Sequence, residues 1–159
     1  MKVLNIHSRI VNQPLEKVTM LMESLSTSND QIWPKKHWPK MKFEDGIQEG
    51  TAGGHGPIRY SVEIYRPSEL IQFRFSKPDG FNGIHKFEIT ALNENRTEVK
   101  HIIDMKTSAL GYIKWIIAIR SLHNALIEDG LDNLESICSG QQKSTKWNLW
   151  VRFLRWQLG

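Results

Sequence analysis

The sequence predicts an α+β protein in which a curved antiparallel sheet wraps around one long C-terminal helix. Three observations carry this. Residues 58–107 hold four alternating segments separated by short turn sequences. Residues 108–137 then repeat apolar side chains at helical spacing, with no further strands behind them. A further alternating segment, residues 3–12, and short helical stretches stand ahead. A sheet bent round a helix encloses space that side chains alone rarely fill. An internal cavity for a hydrophobic small molecule is therefore the first functional expectation.

Taken in order, Val3–Asn12 sets Leu4, Ile6, Ser8 and Ile10 on one face and Asn5, His7 and Arg9 on the other, the pattern of a half-buried strand. Pro14 opens a helix over 14–25, where Leu15, Val18, Leu21, Met22 and Leu25 share a face. Two Trp-Pro pairs follow at Trp33-Pro34 and Trp38-Pro39. A residue before proline is pushed out of the helical region, so both indoles belong to a turn or loop. They plug one end of the core or line a pocket mouth. Residues 41–44 read as a short strand. Glu49–Pro57 contains four glycines and reads as a flexible hairpin connection. It is not a phosphate loop, because no Lys-Ser/Thr follows and the next segment is a strand.

Ile58–Arg66, Glu69–Ser76, Ile84–Leu92 and Thr97–Thr107 form the four main strands, separated at Pro67-Ser68, Lys77–Gly80 and Asn93–Asn95. Ser108 is the candidate N-cap of the final helix and Ser139-Gly140 its end. The domain expected from this pattern spans residues 1–140, and a tail spans 141–159.

Composition narrows the function. The net charge is +4, from 21 basic and 17 acidic residues. Lys143, Lys146, Arg152 and Arg155 all follow Gly140, where there is no acid. The body before them is neutral, which argues against a nucleic-acid-binding face. The longest purely apolar run is Trp115–Ile119, far below the ~20 residues that span a bilayer. Cys138 is the only cysteine, so no internal disulfide forms. A cytoplasmic location is the expectation, with peripheral membrane contact through the tail as its variant.

Three segments carry a family resemblance. They are Ile32–Pro34 with Trp38–Met41, Gly83–Ile89 followed by Thr97–His101, and Leu122–Glu135. Together they resemble the SRPBCC superfamily. This is the helix-grip group of StAR-related lipid-transfer domains, birch-pollen-allergen proteins and bacterial polyketide cyclase-like proteins. The resemblance spans about residues 3–137 and implies a helix-grip fold around a ligand cavity. It does not imply one activity, since the superfamily hosts carriers, sensors and a few enzymes.

On this reading the ligand-facing residues are Tyr60, Phe73, Phe75, Phe87, Val99 and Met105 from the sheet. Trp115, Ile116 and Ile119 join them from the helix, with Trp33 and Trp38 at the mouth. The polar groups among them are His85, His101 and His123. Strand pairing brings His85 and His101 together diagonally, where they orient a ligand carbonyl or hydroxyl. The alternative is a cyclase- or dehydratase-like enzyme using His85 and His101 as acid or base. Binding without catalysis is the leading expectation. Neither a cofactor nor a metal is expected, because the histidines follow no ligand spacing.

The tail adds a separate candidate surface. Trp147, Trp150, Arg152, Phe153, Leu154 and Arg155 mix aromatic, aliphatic and basic groups in the manner of an interfacial helix. The same segment also suits docking on the domain, homodimer contact or a strand.

Overall fold

Seven strands replace the six expected. The structure is a computed structural model and describes residues 1–158; Gly159, the last residue of the expected tail, lies outside the described residues. The strands are β1 (Lys2–Val11), β2 (Lys42–Phe43), β3 (Ala52–His55), β4 (Ile58–Arg66), β5 (Leu70–Lys77), β6 (Phe81–Asn93) and β7 (Arg96–Thr107). They form one antiparallel sheet in the order β1-β7-β6-β5-β4-β3-β2. Helix α1 (Leu15–Glu23) follows β1 and buries Val18, Leu21 and Met22. The chain then closes with α2 (Ala109–Lys114), a π-helical turn (Trp115–Ile119), α3 (Arg120–Ser139) and α4 (Leu149–Leu158).

The expected caps are present. Ser108 Oγ accepts a hydrogen bond from the Gly111 amide at 3.1 Å, and Gly140 ends α3 in the left-handed region at φ 69°. The expected continuous helix over 108–137 is interrupted by one wide turn, which inserts between α2 and α3.

One expectation about the strands is corrected. The glycine-rich segment is not a free loop: Ala52–His55 is strand β3, paired with β2 and β4. A Cβ at Gly53 would collide with the Phe43 ring, and one at Gly54 with the Ile58 carbonyl. Glycine is what lets this strand approach its neighbours. The alternation of β1 is right, and the face it buries is the one that carries Asn5, His7 and Arg9. Leu4 and Ile6 are 57% and 53% exposed, whereas Asn5, His7 and Arg9 turn toward α3. Glu128, Asp132 and Glu135 on that helix supply counter-charges, and Val3 and Val11 share the buried face at the strand ends.

The core falls into two clusters. The larger includes Tyr60, Ile71, Phe73, Phe87, Val99, Leu126, Ile127 and both Trp33 and Trp38. The smaller is built from Val3, Phe81, Ile103, Met105 and Trp115. They meet between the sheet and the α2–α3 helix.

Candidate functional site

A cavity of about 200 Å³ opens at the seam between the two clusters. Phe87, Leu126 and Ile127 line it from the larger cluster, and Phe81, Ile103 and Trp115 from the smaller. The sheet contributes its polar members through register. Phe87 pairs with His101 and His85 with Ile103, so the two imidazoles are diagonal neighbours, 5.6 Å between ring centroids. His123 reaches in from α3 and lies 5.0 Å from His101. Around His85, Phe73 and Phe75 each lie 4.8 Å away and Tyr60 presents an edge at 4.6 Å.

No carboxylate pairs with these three imidazoles among the described residues, and at His123 a side-chain hydrogen bond with Asn124 works against burial. Burial pushes the pKa of His85, His101 and His123 well below the ordinary histidine value, and neighbouring imidazoles add to the effect. His55, from β3, lines the same cavity and is lowered to about 4, first by burial and then by the charge of Arg59. Its Nδ1 shares a 3.0 Å hydrogen bond with the Tyr60 hydroxyl, whose own ionisation is suppressed by burial. Among the described residues no group of three or more His, Cys, Asp and Glu side chains is arranged to hold a metal ion.

The mouth is closed by the tail. Trp38 and Trp147 both donate their indole N–H to Asp129 Oδ2, at 2.7 and 3.0 Å. Trp147 also packs edge-on against Trp38, 5.4 Å away. Trp150 donates to the Ile117 carbonyl at 2.8 Å, in the π-helical turn. Val151 is buried, and the Arg155 guanidinium sits 5.0 Å above the Trp38 ring. Arg155 and Leu158 thereby become part of the cavity wall.

No family model matches the sequence, and no curated protein matches it. Comparison of folds is informative. Norcoclaurine synthase from Thalictrum flavum, solved with dopamine and hydroxybenzaldehyde, superimposes with a TM-score of 0.67 at 9% identity, covering 91% of this chain and 90% of that one. XoxI from Bacillus cereus gives 0.63 at 15% identity, covering 86% and 96%. A START superfamily protein from Mycobacterium smegmatis gives 0.55 at 14% identity, covering 86% and 97%. The chain has the helix-grip fold of these structures.

Within this helix-grip frame, Trp33, Trp38, Phe75, His85, Phe87, His101, Trp115, Ile119 and His123 all line the cavity. Tyr60, Phe73, Val99 and Met105 do not; they are core residues behind the wall. Ile116 is the clearest departure, 40% exposed on the far side of the helix. The π-helical turn places Trp115 and Ile119 inward and leaves Ile116 outward. Leu122, Leu126 and Ile103 were legible, since they share the same helical stripe or strand face. His55, Arg155 and Leu158 were not, because loop closure and tail docking carry them there. In the tail, Trp150, Arg152 and Phe153 remain exposed, while Trp147, Leu154 and Arg155 are partly covered by the domain. The strand alternative for this segment is overturned: Leu149–Leu158 is helical.

Proposed function

We propose that this chain binds a compact hydrophobic small molecule in the seam cavity, as a carrier or sensor. One observation carries the reading: an apolar internal space of about 200 Å³ that sheet, helix and tail enclose together. Ligand sites are concave and largely apolar, with few polar groups. An engineered cavity of ~150 Å³ admits one benzene, so a single substituted ring suits this volume. Fold neighbours add support, since norcoclaurine synthase holds two small aromatic compounds.

The cyclase- or dehydratase-like alternative fits less well. General acid–base work needs a group that exchanges its proton near the operating pH. His85 and His101 are held neutral, and among the described residues no carboxylate hydrogen-bonds to either. The test is native mass spectrometry of the intact protein against a panel of single-ring compounds, with calorimetry on any that bind. Uptake by the folded chain is expected. A panel that leaves only empty protein at millimolar ligand rejects the reading.

A second reading concerns the outer face of α4. Trp150, Phe153 and Trp156 form a ladder with ring separations of 5.4 and 6.2 Å, and Trp156 is 74% exposed. With basic residues nearby and no acid after Gly140, this face suits the headgroup layer of an anionic membrane. No helix among the described residues is long and apolar enough to cross a membrane. Co-sedimentation with anionic vesicles should fall about tenfold in Trp150→Ser/Trp156→Ser. Equal pelleting of both proteins removes this reading.

A further inference from the structure

The cavity is apolar except where imidazoles and the Arg155 guanidinium enter it, and each of three imidazoles carries an unpaired nitrogen. Nε2 of His85, Nδ1 of His101 and Nδ1 of His123 are shut away from solvent with no hydrogen-bond partner among the described residues. Buried polar atoms are nearly always paired, and each exception costs about 1–3 kcal/mol. Here three such exceptions sit on rings that line one cavity, with successive rings 5.6 and 5.0 Å apart, and a fourth, Arg155 Nε, belongs to its mouth. Phe or Leu would pack as well in a wall already made of Phe87, Ile103 and Trp115. The contrast with His7 is direct: its two ring nitrogens meet Glu128 at 2.6 Å and Asn124 at 3.1 Å.

The chemistry of the rings selects the complement. A neutral imidazole offers one N–H donor and one acceptor nitrogen. A half-turn about Cβ–Cγ exchanges its carbon and nitrogen edges, so either edge can face the cavity. A hydroxyl group offers one donor and two acceptor lone pairs. One hydroxyl can therefore give its proton to one imidazole and accept from two others. An anionic head finds no charge on these rings; the one cation of the described wall is the Arg155 guanidinium, which sits over Trp38 at the mouth.

We infer that the guest is a phenol-type compound, a single compact ring whose neutral hydroxyl is held among His85, His101 and His123. This inference rests on the cavity-binding reading above and adds the polar end of the ligand.

A matched pair of probes tests it. p-Cresol and p-xylene share one shape and differ by a hydroxyl in place of a methyl. Water favours release of p-xylene into any purely apolar cavity. Calorimetry on the full chain should nevertheless show p-cresol binding about tenfold tighter, the equivalent of one well-made hydrogen bond. His85→Leu and His101→Leu should reverse that order while still binding p-xylene. Should either variant fail to fold, ¹⁵N spectra of the imidazoles in the unsubstituted chain give the same information. The resonances of His85, His101 and His123 should move with p-cresol and stay with p-xylene. p-Xylene binding as tightly or more tightly, or imidazole resonances unmoved by bound p-cresol, overturns the hydroxyl site and leaves the cavity reading standing. Binding of neither compound overturns both.

Discussion

On the β1 side of α3, polar groups from the strand find partners; on the β6–β7 side they find only rings and aliphatic carbons. Arg9 meets Glu135 at 2.5 Å, Glu128 at 2.8 Å and buried Asp132 at 3.1 Å. Burial works against the Arg9 charge, yet the hydrogen bond to Glu135 and the charges of Asp132 and Glu128 hold its pKa above the ordinary arginine value. Asn5 Oδ1 is the one buried side-chain atom of this ladder left without a partner. Across the helix, His85, His101 and His123 each carry such an atom. The same helix thus covers a paired polar ladder and an unpaired polar cluster. The paired one fixes how helix and strand dock. The unpaired nitrogens of the other contribute no bond to the fold, although their rings pack in it, and such atoms beside a cavity are candidates for meeting a ligand.

Acid should break this comparison most severely. The unfolded chain protonates its histidines near pH 6.5, while the folded chain holds His55 at about 4 and the three cavity imidazoles well below the ordinary value. Protons therefore favour the unfolded state. Their contribution is complete above pH 6.5 and is lost as pH falls toward the folded values, at about 1.4 kcal/mol per pH unit for each group. Urea midpoints measured from pH 7 to 4 should fall steeply, and a flat profile would contradict the assigned neutrality. Next in size is Arg9→Ala, which removes the cation from buried Asp132 and leaves Glu128 with His7 and Glu135 with Lys143 alone. We expect a loss of about 3 kcal/mol in chemical denaturation. Trp147→Ala should act on one side only. It removes the indole bonds to Asp129 and should cost about 2 kcal/mol, read as faster hydrogen exchange in α4 with β1 amides unaffected. His101→Leu should have the smallest effect and the opposite sign, a gain of up to about 1 kcal/mol, because it removes an unpaired atom from the interior. A loss comparable to that of Arg9→Ala would show that the two sides do not differ.

Much of this was readable in the residues. Period-two alternation located the long strands, and Ser108 and Gly140 bounded the last helices. The diagonal between His85 and His101 followed from the turn at Asn93–Asn95, since a tight turn fixes register. Phase was less legible. In β1, Leu4, Ile6 and Ile10 look like the inner face, yet acids some 120 residues later pull Asn5, His7 and Arg9 inward. Local alternation marks two faces and does not name the buried one when a distant charge ladder competes. The π-helical turn was invisible for a related reason: Trp115–Ile119 is uniformly apolar, so its spacing cannot reveal an extra residue in the turn.

By itself the sequence determined the α+β class, the strand sequence of the main sheet and the apolar character of the space beneath the last helix. These depend on neighbours a few positions apart, where side-chain periodicity and turn chemistry act directly. Only the tertiary structure decided that His55 joins the wall, that Arg155 and Leu158 close it, and that three imidazoles reach it unpaired. Those outcomes depend on which distant groups arrive with the right geometry, and that is settled when the tail, the glycine-rich strand and the helix pack on one another.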